Sequence, residues 1–260
     1  MTDEALPRRY IAAEANYRQL IDYRPNVAIL PWGATEAHNY HLPLGTDIFE
    51  ATAVAQRAAD LAHQRGGRPI VLPTIPFGNN AQQLDQVSTI HLSTTAAAAV
   101  LNDVAASLCR QDIDRLVILN GHGGNEFKPL VRDAQLEHGM LIVVVNFWCV
   151  GEGNIDNIFD DPGEHAGELE SSLMLHIQPE LVALDQAGPG SRNPFVIGGF
   201  EATRAWTPRP WSATHPDTGC GDPSKATAEK GRQYLEMICE PIAELLAGLS
   251  KANKGQLPYI

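Results

Sequence analysis

Three short stretches of this chain concentrate imidazoles and carboxylates. In Pro31-Trp-Gly-Ala-Thr-Glu36-Ala-His38-Asn-Tyr-His41-Leu-Pro-Leu-Gly45-Thr-Asp47, Glu36 and His38 are two residues apart. An extended backbone projects such a pair to one side. Asp47 stands where a helix is expected to begin, a position at which a carboxylate complements the helix dipole. Asn120-Gly-His122-Gly-Gly-Asn125 frames one imidazole with glycines that permit close backbone approach or positive φ. Glu164-His165-Ala-Gly-Glu168-Leu-Glu170 adds more acids, and His165 and Glu168 share one side of a helical turn. Zinc, manganese and iron all accept such mixed nitrogen and oxygen donors. Without a cation, burying this many carboxylates would forfeit their hydration.

Blander readings stand beside this one. Glu36 can pair with a surface cation while Asp47 simply starts a helix, and for that segment alone the two readings are level. Glu170 reads better as a partner of the helix dipole, or as support behind a ligand, than as a ligand. Asn120 and Asn125 are placed to orient a ligand or the substrate. The glycine turn fails as a dinucleotide fingerprint, because Phe127 stands where the last glycine belongs, and it lacks the Gly-Lys-Ser/Thr ending of a phosphate loop. His122 is therefore read as metal-binding or catalytic. His41, His63, His91, His138, His176 and His215 have no converging acids and read as surface or packed residues, His41 and His215 least securely.

The elements that must carry these groups alternate along the chain. Continuous apolar runs at 27–30, 69–72, 116–119 and 141–147 read as strands covered on both faces. Helical patterns occupy 48–64, 95–110, 127–138, 169–176 and 225–249, with Thr46, Ser93 or Thr94, and Ser224 as candidate caps. This order predicts an α/β fold, a mostly parallel sheet between helices. Ligands bind such sheets beyond the carboxyl ends of the strands, where the three stretches fall. Residues 188–223 are rich in glycine and proline, and a loop of that length is commonly functional or an oligomer contact. Trp148, Trp206 and Trp211 are candidate pocket walls, with core or interface packing the alternative. Residues 1–260 read as one domain.

Composition narrows the function. The 260 residues are 44% hydrophobic, enough for a substantial core, and carry a net charge of −12. That balance argues against nucleic-acid or acidic-membrane partners. Four scattered cysteines and an N-terminus without an apolar leader predict a reduced, cytoplasmic protein. The most apolar stretch, 141–150, is too short to span a bilayer.

In order along the chain, Pro31–His38, Leu42–Asp47, Asn120–Asn125 and His165–Ser172 resemble successive signatures of the creatininase family, over about residues 25–180. The resemblance implies a three-layer α/β/α domain, two divalent ions (Zn, Mn or Fe) and a homohexamer. It implies Glu36, His38, Asp47 and His122 as ligands, with Asp47 bridging. Creatininase proper takes a further glutamate from Gly-His-Tyr-Glu-Asn, a place held here by Gly124. Relatives with Gly-His-Gly-Gly-Asn use the glutamate of His-Ala-Gly-Glu instead, which here is Glu168. One ion would then sit on Glu36, Asp47 and His122, the other on His38, Asp47 and Glu168, with His165 the catalytic histidine. The stretch Asn79–Ile90 departs from many members and lies where a substrate pocket would be lined.

The expected activity is hydrolysis of a C–N amide-type bond in a small molecule, through a water that the two ions ionise. Formamide hydrolysis and peptide cleavage, both found in the family, are the alternatives. From other classes come a metal-structured oligomeric binding protein, a sugar isomerase and a phosphate binder.

Overall fold

A computed structural model of the protein describes residues 8–259. Residues 1–7 and 260, which belong to the readings of the N-terminus and the domain span, lie outside them. Four strands form one parallel sheet in the order β2-β1-β3-β4: β1 (Val27–Trp32), β2 (Pro69–Val71), β3 (Arg115–Asn120) and β4 (Leu141–Asn146). The expected α/β architecture is present.

Because strand side chains alternate in direction, each central strand feeds two cores. Val27, Ile29, Val117 and Leu119 pack with α2 (Thr46–Gln64), α6 (Glu168–Ile177) and α9 (Ala228–Lys251). Ala28, Leu30, Leu116 and Ile118 pack on the other face with α3 (Thr94–Arg110) and α4 (Lys128–His138). This two-sided burial explains why these strands read as unbroken apolar runs, and it gives three layers.

Helix starts follow local chemistry. Ser93 caps α3 by accepting from Ala96 N (3.2 Å). The expected caps of two other helices are displaced. Thr46 is the first residue inside α2, and its hydroxyl donates to the Pro43 carbonyl (2.8 Å). The cap of α9 is Thr227 rather than Ser224, accepting from Lys230 N (3.2 Å). A short helix that the periodicity did not indicate, α1 (Tyr17–Tyr23), starts from a reciprocal Asn16–Gln19 capping box. Among the described residues no helix is long and apolar enough to cross a membrane.

After β4 come the short α5 (Glu152–Ile155), α6, and then the long excursion with only two brief helices, α7 (Phe200–Thr203) and α8 (Trp211–Thr214). The excursion is fastened at both ends. Asn39 exchanges two hydrogen bonds with Gly188, its Oδ1 accepting at 2.9 Å and its Nδ2 donating at 3.0 Å. The backbones of His165 and Cys220 pair in both directions (2.7 and 3.0 Å). Asp217 accepts from Gly190 N (2.8 Å) and Gly219 N (3.1 Å).

Candidate metal centre

The carboxyl ends of β1 and β3 lie side by side, with Trp32 opposite Asn120, so the segments that follow both strands emerge together. Gly33 lets the first of them lie against the start of α2. A Cβ there would stand 2.8 Å from the carbonyl carbon and oxygen of Asp47. Glu36, His38, Asp47 and His122 converge as a result, none more than 4% exposed.

His38 Nε2 lies 2.9 Å from Asp47 Oδ1 and 4.0 Å from Glu36 Oε1. His122 Nδ1 lies 2.9 Å from Glu36 Oε1 and 3.1 Å from Asp47 Oδ2. The far nitrogen of each imidazole meets a backbone carbonyl: His38 Nδ1 that of Glu36 (3.2 Å), His122 Nε2 that of Asn79 (3.2 Å). A carbonyl only accepts, so those nitrogens carry the hydrogens, and the nitrogens facing the carboxylates hold the lone pairs of the neutral rings. His165 follows the same rule. Its Nε2–H donates to the Ala37 carbonyl (2.8 Å), its Nδ1 lies 3.9 Å from Glu36 Oε1, and its ring lies tilted against that of His38 with centroids 4.1 Å apart.

Three sets of donor atoms lie close enough to share a cation: Glu36–Asp47–His122, His38–Asp47–Glu170 and Glu36–His38–His165, the atoms of each set within 4.8 Å of one another. Asp47 belongs to two of them.

The structure corrects one expectation here. Glu168 is not brought to these groups. It is buried, with one oxygen paired to Lys230 of α9 and the other accepting from Asp160 N (3.0 Å) and Asp161 N (3.1 Å). Two residues along α6, Glu170 faces His38 and Asp47 instead, and also accepts from Ala166 N. Glu170 was expected only to stand behind the ligands. Asn120 and Asn125 bond within the turn that carries His122. Asn120 Oδ1 accepts from His122 N and from Asn125 Nδ2 (3.1 Å each), and its Nδ2 donates to Asn146 (3.0 Å). They brace the glycine turn. In that turn, a Cβ at Gly124 would lie 2.4 Å from the Asn79 carbonyl oxygen and 2.5 Å from His122 Nε2. The glutamate of creatininase proper has no room here.

Electrostatics bind the cluster together. Burial opposes charge on His38, but Asp47, Glu170 and Glu36 raise its pKa to about 10. His122 is likewise held well above the usual imidazole range, Glu36 foremost among the carboxylates that overcome its burial. Burial also works against ionising Glu36 and Asp47, yet the neighbouring imidazoles keep both below the carboxylate range. Protonated imidazoles thus neutralise the carboxylates, a task that divalent ions can take over by displacing the protons.

Glu50 was missed in the sequence. It is fully buried one turn after Asp47, neither carboxyl oxygen has a hydrogen-bond partner, and burial beside Glu170 and Asp47 pushes its pKa far up. The signal was legible: an acid on the buried stripe of α2, among Ala51, Val54 and Ala55. Two histidines read as packed residues are buried, His41 against Ser171 (2.7 Å) and His215 against Trp211 (ring centroids 4.0 Å).

The donor set suits a divalent metal on three grounds. It mixes imidazole and carboxylate, its imidazoles are oriented through their far nitrogens, and the carboxyl oxygens of Glu36 and Asp47 converge on the near ones. The groups open into a cavity of about 280 Å³ bordered by Gly123, Phe147, Trp148 and Glu164. Gly123 and Glu164 also border a second cleft of about 740 Å³, which continues past Gln82, Trp206 and Arg209.

Comparison with known proteins agrees with this geometry. Residues 13–246 match the creatininase (creatinine amidohydrolase) family profile. The mycofactocin precursor peptide peptidase of Mycobacterium ulcerans is 31% identical over 224 residues, covering 84% of this chain and 83% of that protein. Creatinine amidohydrolase of Pseudomonas putida is 28% identical over 244 residues, covering 85% of this chain and 88% of that protein. A crystal structure from Bacteroides fragilis, described as a candidate creatinine amidohydrolase, superposes with a TM-score of 0.89 at 39% identity, covering 95% of this chain and 98% of that one. With parallel strands, converging donors and these relatives together, the chain belongs to the creatininase family of metal-dependent amidohydrolases.

Proposed function

We propose that this protein hydrolyses a C–N amide-type bond with two divalent ions, zinc, manganese or iron, one held by Glu36, Asp47 and His122 and the other by His38, Asp47 and Glu170. One observation carries the reading: the sets Glu36–Asp47–His122 and His38–Asp47–Glu170 have Asp47 in common and no other residue, so its carboxylate would serve both ions. Divalent ions bound there supply a water of lowered pKa and polarise the substrate carbonyl.

The protein's own groups do the rest. Glu36 is fixed by Gln83, whose Nε2–H₂ donates to Oε2 at 2.5 Å. The Nε2–H of His165 is tied to the Ala37 carbonyl, so Nδ1 is the nitrogen free to take a proton and pass it to the departing nitrogen. Imidazole suits that role because its ordinary pKa is near neutrality. Phe147, Trp148 and Leu169 line the cavity and exclude bulk water, which strengthens every charge interaction inside it.

The substrate of this reading is a small amide, and the second cleft favours an alternative. Its volume and its junction with the inner cavity at Gly123 and Glu164 suit a longer, peptide-like amide. On the same reading the chain acts as one domain, works in the cytoplasm as a homohexamer, and uses neither nucleic acid nor membrane as a partner. The test is metal analysis with a panel of cyclic amides, formamides and short peptides. The expected result is two ions per chain and hydrolysis abolished by chelator and restored by metal. Full activity in metal-stripped protein would overturn it.

A further inference from the structure

The excursion is mostly exposed, with Val196 at 95% and Trp206 at 84%, yet Trp211 within it is only 5% exposed. Its ring meets that of His165 edge to face, with centroids 5.4 Å apart and planes at 84°. Trp211 is itself held from several sides. Its indole N–H donates to the Thr218 carbonyl (2.8 Å), His215 stacks on it at 4.0 Å, and the Arg209 guanidinium lies 4.7 Å from the ring centroid.

These ties close on His165. Arg209 pairs at 2.9 Å with Glu164, the residue before His165. The His165 backbone pairs with Cys220, two residues beyond the Thr218 that anchors Trp211. The segments that carry ring and brace are therefore tied on both sides of Trp211, at Arg209 and at Cys220. Apart from Trp211, two contacts orient the imidazole: the hydrogen bond to Ala37 and the tilted contact with the His38 ring, whose plane lies at 35°. A single hydrogen bond fixes one atom of a ring and leaves its plane free to swing, whereas a perpendicular aromatic neighbour obstructs that swing.

We propose that Trp211 is a positioning residue for His165, holding the imidazole plane so that Nδ1 stays turned toward Glu36. The excursion then sets turnover as well as pocket shape. The proposal rests on the amidohydrolase reading for its catalytic consequence, not for its geometry.

The test uses zinc-loaded full-length protein and the variants Trp211→Phe and Trp211→Leu, the second keeping bulk without a ring. On the amide that wild type hydrolyses best, Trp211→Leu should lower kcat about 10- to 100-fold, the scale of a displaced catalytic group. KM and zinc content should be unchanged, and Trp211→Phe should recover most of the loss. Combined with His165→Ala, Trp211→Leu should add nothing further, since residues acting as a unit are not additive. A loss that falls in KM, or that persists in full in the His165→Ala background, overturns the proposal.

A second readout needs no turnover. In ¹⁵N-histidine spectra, assigned by the signal missing from His165→Ala, wild type should show one sharp Nε2–H tautomer, broadened or split by Trp211→Leu. An unchanged signal overturns the proposal. A broadened signal from a protein that hydrolyses no amide upholds the positioning and sinks the reaction reading instead.

Discussion

Two regions of this molecule meet at His165 and are built on opposite principles. The donor cluster sits on strand ends and helix starts whose backbones are buried, and its side chains are locked by carbonyls, a glutamine and one another. The excursion 188–223 has little regular structure, large exposed side chains, and order that depends on a few fastenings at Asn39, Asp217 and Cys220. Rigid elements are where ligand geometry can be held within fractions of an ångström, while loops can vary without disturbing it. On the proposed function, the contrast assigns the metal chemistry to the first region and gives the second substrate choice beside its hold on His165.

The sharpest way to break that division is at Asp47. Asp47→Ala should remove both ions and lower hydrolysis by at least about 10³-fold, since it takes away the generator of the nucleophile. Full metal content by elemental analysis of that variant would show that the two donor sets are independent. Next come the two glutamates of α6. Glu170→Gln should weaken one ion by about 10- to 100-fold, the scale of a lost metal contact, and leave the other in place. Glu168→Gln should leave metal content alone and cost about 1–3 kcal/mol of stability, because it leaves Lys230 facing a lost partner that was buried. Equal metal loss in both variants would reverse their assignment.

Protons report on the cluster as a whole. His38, raised to about 10, and His122 are protonated near neutrality in cation-free protein, so metal loading at pH 7 should release about two protons. Calorimetry in buffers of different ionisation enthalpy measures that number. The sign for stability follows. The contribution of charged His38 is fully present below the unfolded imidazole pKa of about 6.5 and is lost as pH rises toward about 10. Cation-free protein should therefore lose thermal stability across that window, and metal-loaded protein should not. The smallest effect is expected in the outer region. Trp206→Ala should raise KM a few-fold for extended amides, leave small ones unaffected, and leave metal content unchanged. An equal effect on both substrates would deny the excursion its role in selection.

Much of this was legible in the sequence, for a physical reason. Strands buried on both faces must be apolar throughout, and the polar residues at their carboxyl ends then stand out. Glu36, His38, Asp47 and His122 stood out as candidates that way, and the family resemblance implied them as one ligand set. The choice between Glu168 and Glu170 was not legible. Two residues apart on a helix point in different directions, and which one faces the cluster depends on Lys230, far along the chain, which claims Glu168. The partners of Asn120 and Asn125, which are one another, the His122 backbone, Asn79 and Asn146, are likewise set only by the folded chain. Trp211 and His215 lie in a stretch with no periodicity to read, so only the folded chain reveals that Trp211 packs against His165 and His215 against Trp211.

Gly124 carries a consequence for how this branch of the family can change. A side chain at that position would collide with backbone at Asn79 and with the His122 ring. On the proposed ligand set, with a glutamate on α6, a glutamate on the glycine turn is thus not reached by substituting Gly124 alone. A designer wishing to convert one into the other must first rebuild the loop at 78–80, and natural drift faces the same one-way barrier.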